Sequence, residues 1–427
     1  MKDKPTKINR RGFLKTIGAA GLGSVFASAK SPAGPNEPKV ADPNAAGKTE
    51  EPKFPQVPRR KLGKTGVEVS ALALGTMFDT IENQIVLKTA LKWGVNYWDT
   101  AHGYSGGNSE IGIGKYISKN PDIRKNLFIV SKAKAKSIAE IEKMCATSLK
   151  RMNTDYIDLY FGVHGLSDPA ELTDELRRWV ENAKRKKLIR FFGFSTHKNM
   201  AQCLMTASKV DWVDAIMTTY NFRLMQDAEM QAAIDACHKA GIGLVAMKSV
   251  ALSSQGRKQL EAGGEVYAAE EEKKPFSHFM QLGFTEAQAK IKAVLEDKRI
   301  SSACVGMKNV AILTSNVAAA LDKTKLTQAD MAVFKEYAQA TCDGYCAGCA
   351  YICDSALPGM PYVSDIMRYL MYYNSYGDMD RARELFAQIP NDIRGKLIIA
   401  DYSLAEARCP QHMPIGKLVA EAVSKLA

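Results

Sequence analysis

Eight short apolar runs, separated by segments with helical periodicity, constrain the fold of this chain more than any other feature. They are Val69–Leu74, Val95–Trp98, Leu127–Val130, Tyr156–Val163, Ile189–Phe194, Ala215–Tyr220, Gly243–Met247 and Ser302–Val305. Their near-continuous apolar, β-rich character fits strands buried on both faces, as in a parallel sheet. Between them Gln84–Trp93, Ala139–Met152, Asp174–Arg185 and Met230–Ala240 carry amphipathic helical patterns. Eight strands alternating with helices over about 250 residues predict an α/β fold, a (β/α)8 TIM barrel. A doubly wound sheet is the alternative, but no Gly-x-Gly-x-x-Gly follows the first run. Leu62-Gly63-Lys64-Thr65-Gly66 instead reads as a hairpin turn capping the barrel bottom. At 427 residues the chain has room for a barrel over 57–325 and a small, mainly helical region over 326–427.

In such a barrel the polar residues just after each strand converge at the carboxyl face. The second run ends on Asp99, the third on Ser131-Lys132, the fourth on His164, the fifth on Ser195-Thr196 and the sixth on Asn221. Tyr104 follows Asp99 across a Gly-containing loop. Taken singly, Asp99 reads as a helix cap, His164 as a satisfied core histidine, and Lys132 as one lysine beside Lys134 and Lys136.

Together these residues resemble the aldo-keto reductases over roughly 57–325. The resemblance rests on Trp98-Asp99-Thr100-Ala101-x-x-Tyr104 with Ser109-Glu110, on Ser131-Lys132, on Thr154-Asp155-Tyr156-Ile157-Asp158-Leu159-Tyr160 leading to His164, and on Gly193-Phe194-Ser195. It implies Tyr104 as general acid/base, Lys132 as its tuner, Asp99 as the lysine's anchor and His164 as the donor that orients a carbonyl. The chemistry is consistent: a free phenol, with a pKa of about 10, holds its proton too tightly, and a nearby ammonium lowers that pKa. The implied cofactor is NADP or NAD, and the implied substrate a small carbonyl or alcohol compound. Ser195 and Thr196 would face the carboxamide and Asn221 would lie at the same strand ends. Lys248, Gly306 and Lys308 would receive the phosphates, and Asn316 the adenine. Met217, Thr196 and Met247 depart from the residues common at those positions in the family.

Beyond the barrel, Cys342, Cys346, Cys349 and Cys353 form a C-x3-C-x2-C-x3-C run, with Cys409-Pro410 far downstream. This resembles a ferredoxin-type iron–sulfur module, although the bacterial run is C-x2-C-x2-C-x3-C-P. Five thiols are too few for two four-iron clusters, so one [4Fe-4S] cluster is expected. Its ligands would be Cys342, Cys346, Cys349 and Cys409, with Cys353 as the alternative fourth ligand. Zinc and disulfides are the competing uses of closely spaced thiols. Cys145, Cys203, Cys237 and Cys304 are expected as single buried thiols. Tyr362–Tyr373 and Asp378–Gln388 read as amphipathic helices between Cys353 and Cys409.

The net charge is +12, of which six Lys/Arg and one Asp in residues 1–29 contribute +5. The remaining charge is dispersed among acids, which argues against a nucleic-acid groove. Asn9-Arg10-Arg11-Gly12-Phe13-Leu14-Lys15, a weakly apolar run and Ala27-Ser28-Ala29 resemble a twin-arginine signal peptide over 1–29. A Pro-rich linker follows over 30–56. The expected location is periplasmic, with no membrane span in the mature protein. That route moves folded proteins, so a cluster could be inserted before export. An exported oxidoreductase would need a retained cofactor or a redox partner protein. An electron-transfer or binding protein using the barrel as scaffold is the competing expectation.

Overall fold

The structure, a computed structural model, describes residues 54–250, 277–340 and 345–427. The expected signal and linker, except for residues 54–56, lie outside the described residues, as does Cys342.

Arg59–Lys61 (β1) and Glu68–Ser70 (β2) form an antiparallel hairpin. Eight parallel strands close the barrel: Leu72–Gly75 (β3), Tyr97–Asp99 (β4), Phe128–Lys132 (β5), Ile157–His164 (β6), Ile189–Thr196 (β7), Ala215–Thr219 (β8), Gly243–Met247 (β9) and Ile300–Gly306 (β10). Each pairs with the next and β10 returns to β3. The eight-stranded (β/α)8 expectation holds. The first apolar run is divided at Ala71 between the end of the hairpin and β3.

Side chains alternate along each strand, so every second residue enters the interior. Tyr97, Phe128, Val130, Leu159, Phe161, Ala215, Met217 and Val245 form that inner core. Leu62 and Val69 from the hairpin join it from below, which places the cap where the turn sequence predicted. Gly63 makes the cap possible. Its φ is +52°, and a β-carbon there would lie 2.2 Å from the carbonyl oxygen of Gly241, which leads into β9. The surrounding helices begin on side-chain caps: Thr173 accepts from the Leu176 amide, Thr285 and Gln288 cap reciprocally, and Asn309 accepts from Ile312.

Helix Gln328–Ala340 packs its Phe334 and Tyr337 against Phe222, Phe279 and Phe284. Beyond it, helices Ala350–Ala356, Val363–Tyr376, Met379–Ala387, Ser403–Arg408 and Ile415–Leu426 surround a separate core including Ile366, Leu397, Ala405, Val419 and Ala422. This helical region rests on the carboxyl ends of β7 and β8. The Asn199 amide donates to Gly348 O at 2.8 Å, the Tyr351 amide donates to Asn199 Oδ1 at 3.0 Å, and Lys198 pairs with Asp365 at 3.0 Å. No helix among the described residues is long and apolar enough to cross a membrane.

Candidate active site

The inward period decides which strand-end residues meet. Asp99 lies two residues beyond the inward Tyr97, and Lys132 two beyond Val130, so both point into the mouth. Their buried groups meet there: the Lys132 ammonium donates to Asp99 Oδ1 at 2.6 Å, to Thr100 O at 2.7 Å and to the Tyr104 hydroxyl at 3.4 Å. Ser131, one residue out of phase, points outward and donates to Glu110 Oε1 at 2.6 Å. Arg151 holds the other Glu110 oxygen at 3.1 Å. Ser109 contacts the hydroxyls of Thr76 and Thr100, both at 2.7 Å, and Thr76 Oγ1 donates to Asp99 O at 2.8 Å. The motif residues around the tetrad thus brace the loop that carries Asp99 and Tyr104.

His164 arrives by a different route. Continuing the phase of Leu159 and Phe161 would turn Val163 inward and His164 out. The pairing of β6 with β7 instead slips by one residue between Phe161 and Val163, opposing His164 to Ser195. This bulge at Gly162 reverses the alternation beyond it. A β-carbon on Gly162 would meet Phe192 Cε2 at 2.7 Å, so the close approach calls for glycine. The His164 ring stands edge-on to Tyr104 with centroids 6.1 Å apart.

Electrostatics assign protonation states. Burial raises Asp99, against the opposing pull of Lys132. Burial disfavours the Lys132 charge, but Asp99 and Tyr104 outweigh it and hold the ammonium above its ordinary range. Burial pushes Tyr104 up to about 12. Lys132 pulls it down as expected, while Asp99 and Cys304 push it up. The expected net lowering is therefore reversed: the ammonium's pull is present but smaller than the desolvation. Burial, then the charges of Lys132, Lys134, Arg381 and Arg368, lower His164 to about 3. At neutral pH the site presents a protonated phenol, a neutral imidazole and a paired ammonium. That set can protonate a developing alkoxide without first losing a charge.

The expected cofactor residues are distributed along β7 to β10. Ser195 is buried at the end of β7, and its hydroxyl has no hydrogen-bond partner among the described residues. Thr196 donates to Lys198 O at 3.1 Å. Asn221 is fully buried and donates to the Tyr345 hydroxyl at 2.9 Å and to Lys248 O at 3.2 Å. Tyr345, from the cysteine-bearing segment, thus covers the end of β8. Gly306 ends β10, Lys308 follows, and Asn316 is buried on helix Val310–Leu321. Met217 fills the inner core, and Met247 packs against it.

A cavity lies between the barrel mouth and the helical region, lined by His197, Thr219, Lys248, Ser364, Arg368 and Asn374, among others. His197 Nδ1 and Thr219 Oγ1 are buried without hydrogen-bond partners among the described residues. With the Ser195 hydroxyl they make three buried, unpartnered polar atoms at the ends of β7 and β8, a set that suits the carboxamide of a nicotinamide. His197, Tyr345 and Arg368 were missed in the sequence. His197 stands one residue beyond β7 and could have been found as a strand-end polar residue, whereas Arg368 carries no signal beyond its place on an amphipathic helix.

Cys346, Cys349, Cys353 and Cys409 line a second cavity, which shares Cys346, Ala347, Ser364, Met367 and Met413 with the first. Cys353, expected as the alternative fourth ligand, lines it beside Cys346, Cys349 and Cys409, and Cys342 lies outside the described residues. The eight described cysteines form no disulfide, and Cys145, Cys203, Cys237 and Cys304 are buried as expected. Among the described residues no three His, Cys, Asp or Glu side chains are drawn together at metal-ligating positions. The four sulfurs line one cavity without closing on a common point. Soft thiols are the donors an iron–sulfur cluster uses; here Cys353 and Cys409 are buried and Cys346 and Cys349 half-buried.

A model of the Aldo/keto reductase family matches residues 71–339. The uncharacterized oxidoreductase YrpG of Bacillus subtilis (strain 168) is 25% identical over 300 residues, 61% of this chain and 91% of that protein. The aldo-keto reductase AFTS1 of Alternaria alternata is 26% identical over 238 residues, 45% of this chain and 64% of that protein. Among solved structures, the thermostable aldo-keto reductase Tm1743, bound to the inhibitor epalrestat, superposes with a TM-score of 0.52 at 26% identity, covering 66% of this chain and 99% of that one. The holo form of aldo-keto reductase AKR11C1 from Bacillus halodurans shares the fold, with a TM-score of 0.52 at 23% identity over 66% of this chain and 96% of that one.

Proposed function

Because the chain belongs to the aldo/keto reductase family, we propose that it interconverts a small carbonyl compound and its alcohol, with NADP or NAD as redox partner. The observation that carries this reading is the buried contact of Lys132 with Asp99 and with the Tyr104 hydroxyl, beside the neutral His164. The chemistry that a bound nicotinamide dinucleotide would supply is hydride transfer to or from the substrate carbon. His164 donates an N–H to the carbonyl oxygen and orients it. Tyr104 gives its proton to the oxygen as negative charge develops there, and Lys132 stabilises the phenolate left behind. Asp99 keeps Lys132 charged and placed. Ser195 would hold the carboxamide with Thr196 beside it, Asn221 would brace the same strand ends through Lys248 O and Tyr345, and Lys248, Gly306, Lys308 and Asn316 would hold the phosphates and adenosine. Tyr104→Phe tests the assignment: loss of carbonyl reduction by roughly 100-fold or more, with cofactor binding retained, is expected. Undiminished turnover would remove the tetrad from the reaction.

The same reading extends to the cysteines. One [4Fe-4S] cluster would be held by Cys346, Cys349 and Cys409 with Cys342 or Cys353, and would supply one-electron transfer. The shared wall between the two cavities supports an electron path between the cluster and the barrel mouth. Residues 1–29 act as a twin-arginine signal, the mature protein works in the periplasm, and a redox partner protein recharges it there. Iron and sulfide analysis with electron paramagnetic resonance on anaerobically prepared protein tests the cluster. Stoichiometric zinc without iron would overturn it. A second reading, in which the barrel is a scaffold for electron transfer, draws on one observation: Tyr345 covers Asn221 at the end of β8.

A further inference from the structure

Tyr104 is the one member of the tetrad that no strand carries: Asp99, Lys132 and His164 end β4, β5 and β6. It opens a turn whose next three residues, Ser105, Gly106 and Gly107, all have positive φ, of 48°, 64° and 102°. Left-handed backbone is costly for Ser105 and persists only where the surroundings over-determine it. The turn's own bonds, from the Tyr104 amide to Ala101 O at 3.1 Å and from the Asn108 amide to Tyr104 O, close it on itself. Packing adds little at its tip. Ser105 and Gly106 are exposed, and a β-carbon on Gly103 or Gly106 would meet nothing within 4 Å.

Arg151, in the last turn of helix Ile138–Met152, grips this turn on both sides of Tyr104. Its Nη1 donates to His102 O at 2.8 Å. Its guanidinium also lies against Gly107, where a β-carbon would come within 2.7 to 2.9 Å of Cζ, Nη2 and Nη1. The guanidinium is itself anchored. Nη1 holds Glu110 Oε2 at 3.1 Å, Glu110 is fully buried, and its Oε1 accepts from Ser131 at 2.6 Å. Ser131 precedes Lys132 on β5, so a continuous set of contacts runs from the strand carrying Lys132 to both flanks of Tyr104. The ammonium does not follow the phenol if the turn moves, because Asp99 at 2.6 Å and Thr100 O at 2.7 Å hold it. Its contact with the Tyr104 hydroxyl, at 3.4 Å, is the longest of the three, so a small displacement of the turn breaks it.

We propose that Arg151 is a positioning residue for the reaction: by clamping His102 and Gly107 it sets the distance between the Tyr104 hydroxyl and the Lys132 ammonium. It acts through the turn and not on the reacting groups, and Glu110 acts through Arg151. This rests on the acid/base role proposed for Tyr104 and adds the side chain, outside the barrel interior, on which that role depends.

The test uses the full chain prepared anaerobically, with 4-nitrobenzaldehyde and NADPH or NADH. Arg151→Ala should lower kcat roughly 10- to 100-fold, with KM for aldehyde and dinucleotide within about 2-fold of the native values. The solvent deuterium isotope effect on kcat should rise, because a displaced phenol slows delivery of its proton. Arg151→Lys should recover part of the loss, since an ammonium can still donate to His102 O but lacks the plane that lies against Gly107. In a Tyr104→Phe background, Arg151→Ala should cost less than about 2-fold in the remaining rate. If Arg151→Ala fails to fold with the Glu110 charge left buried, Arg151→Met with Glu110→Gln removes both charges and should show the same loss of kcat. Amide hydrogen exchange reads the turn apart from turnover: Arg151→Ala should speed exchange at His102 and Tyr104 by about 10-fold or more and leave Trp98 and Ile129 unchanged. An unchanged kcat would overturn the proposal. So would a loss equally large in the Tyr104→Phe background, which would make Arg151 a general structural residue, or unchanged exchange at His102 and Tyr104. Undiminished turnover of Tyr104→Phe would instead count against the proposed reaction, leaving the exchange to decide whether Arg151 fixes the turn.

Discussion

Replacing Asp99 by Asn removes a charge while keeping shape, and it does so beneath an ammonium that has little else to lean on. Lys132 is 1% exposed, and apart from Asp99 it donates only to Thr100 O and, at 3.4 Å, to the Tyr104 hydroxyl. Removing one partner of a buried ion pair costs about 3–5 kcal/mol, because the other charge is left desolvated. Lys132→Met alone should cost a similar amount. The double variant should be less destabilised than that sum by roughly 3 kcal/mol or more, since both buried charges leave together. Urea unfolding of the four proteins at pH 7, followed by tryptophan fluorescence, measures the coupling. Additivity of the two single changes within about 0.5 kcal/mol would refute a coupled buried pair. Both single variants should also lose carbonyl reduction: Lys132→Met takes away the charge that stabilises the Tyr104 phenolate, and Asp99→Asn takes away the partner that keeps Lys132 charged and placed.

Other expectations follow from the same geometry. His164 has its pKa lowered from 6.5 to about 3, so the unfolded chain binds a proton in that window that the native protein does not. Its contribution to stability is fully present above pH 6.5 and is lost as pH falls toward 3; urea midpoints of the native protein and His164→Gln should converge on acidification. Gly162→Ala should displace Phe192 and the bulge, lowering kcat more than cofactor affinity in steady-state kinetics. Gly63→Ala should destabilise the protein by about 1–3 kcal/mol in the same urea assay, since the position combines positive φ with a backbone approach. Cys409→Ser should remove most of the iron measured per chain, and comparing Cys342→Ser with Cys353→Ser identifies the fourth ligand.

The barrel was legible because parallel strands buried on both faces leave near-continuous apolar runs. The placement of Asp99 and Lys132 was legible because they follow inward residues by one full period of two. The distant cysteines were harder to place. Cys346, Cys349 and Cys353 share one segment, but Cys409 meets them only because helices Val363–Tyr376, Met379–Ala387 and Ile415–Leu426 fold its segment back around a common core. Tyr345 over Asn221 had no counterpart in any local pattern, since the two residues are separated by 124 positions.

What the linear sequence determined by itself was local and periodic: eight apolar runs, the residues that end them, and the caps that start the helices between. Hydrophobic burial acts on each run separately, so each run carries its own record of it. Two decisions belonged to the tertiary structure. One was the slip at Gly162, which turned His164 into the mouth against the phase of its own strand; a register is a property of two strands and is written in neither alone. The other was the seating of the helical region over β7 and β8, which brought Arg368 and Cys346 into one cavity with His197, Thr219 and Lys248. Contacts between segments so far apart arise only when both surfaces exist, and that occurs only in the folded chain.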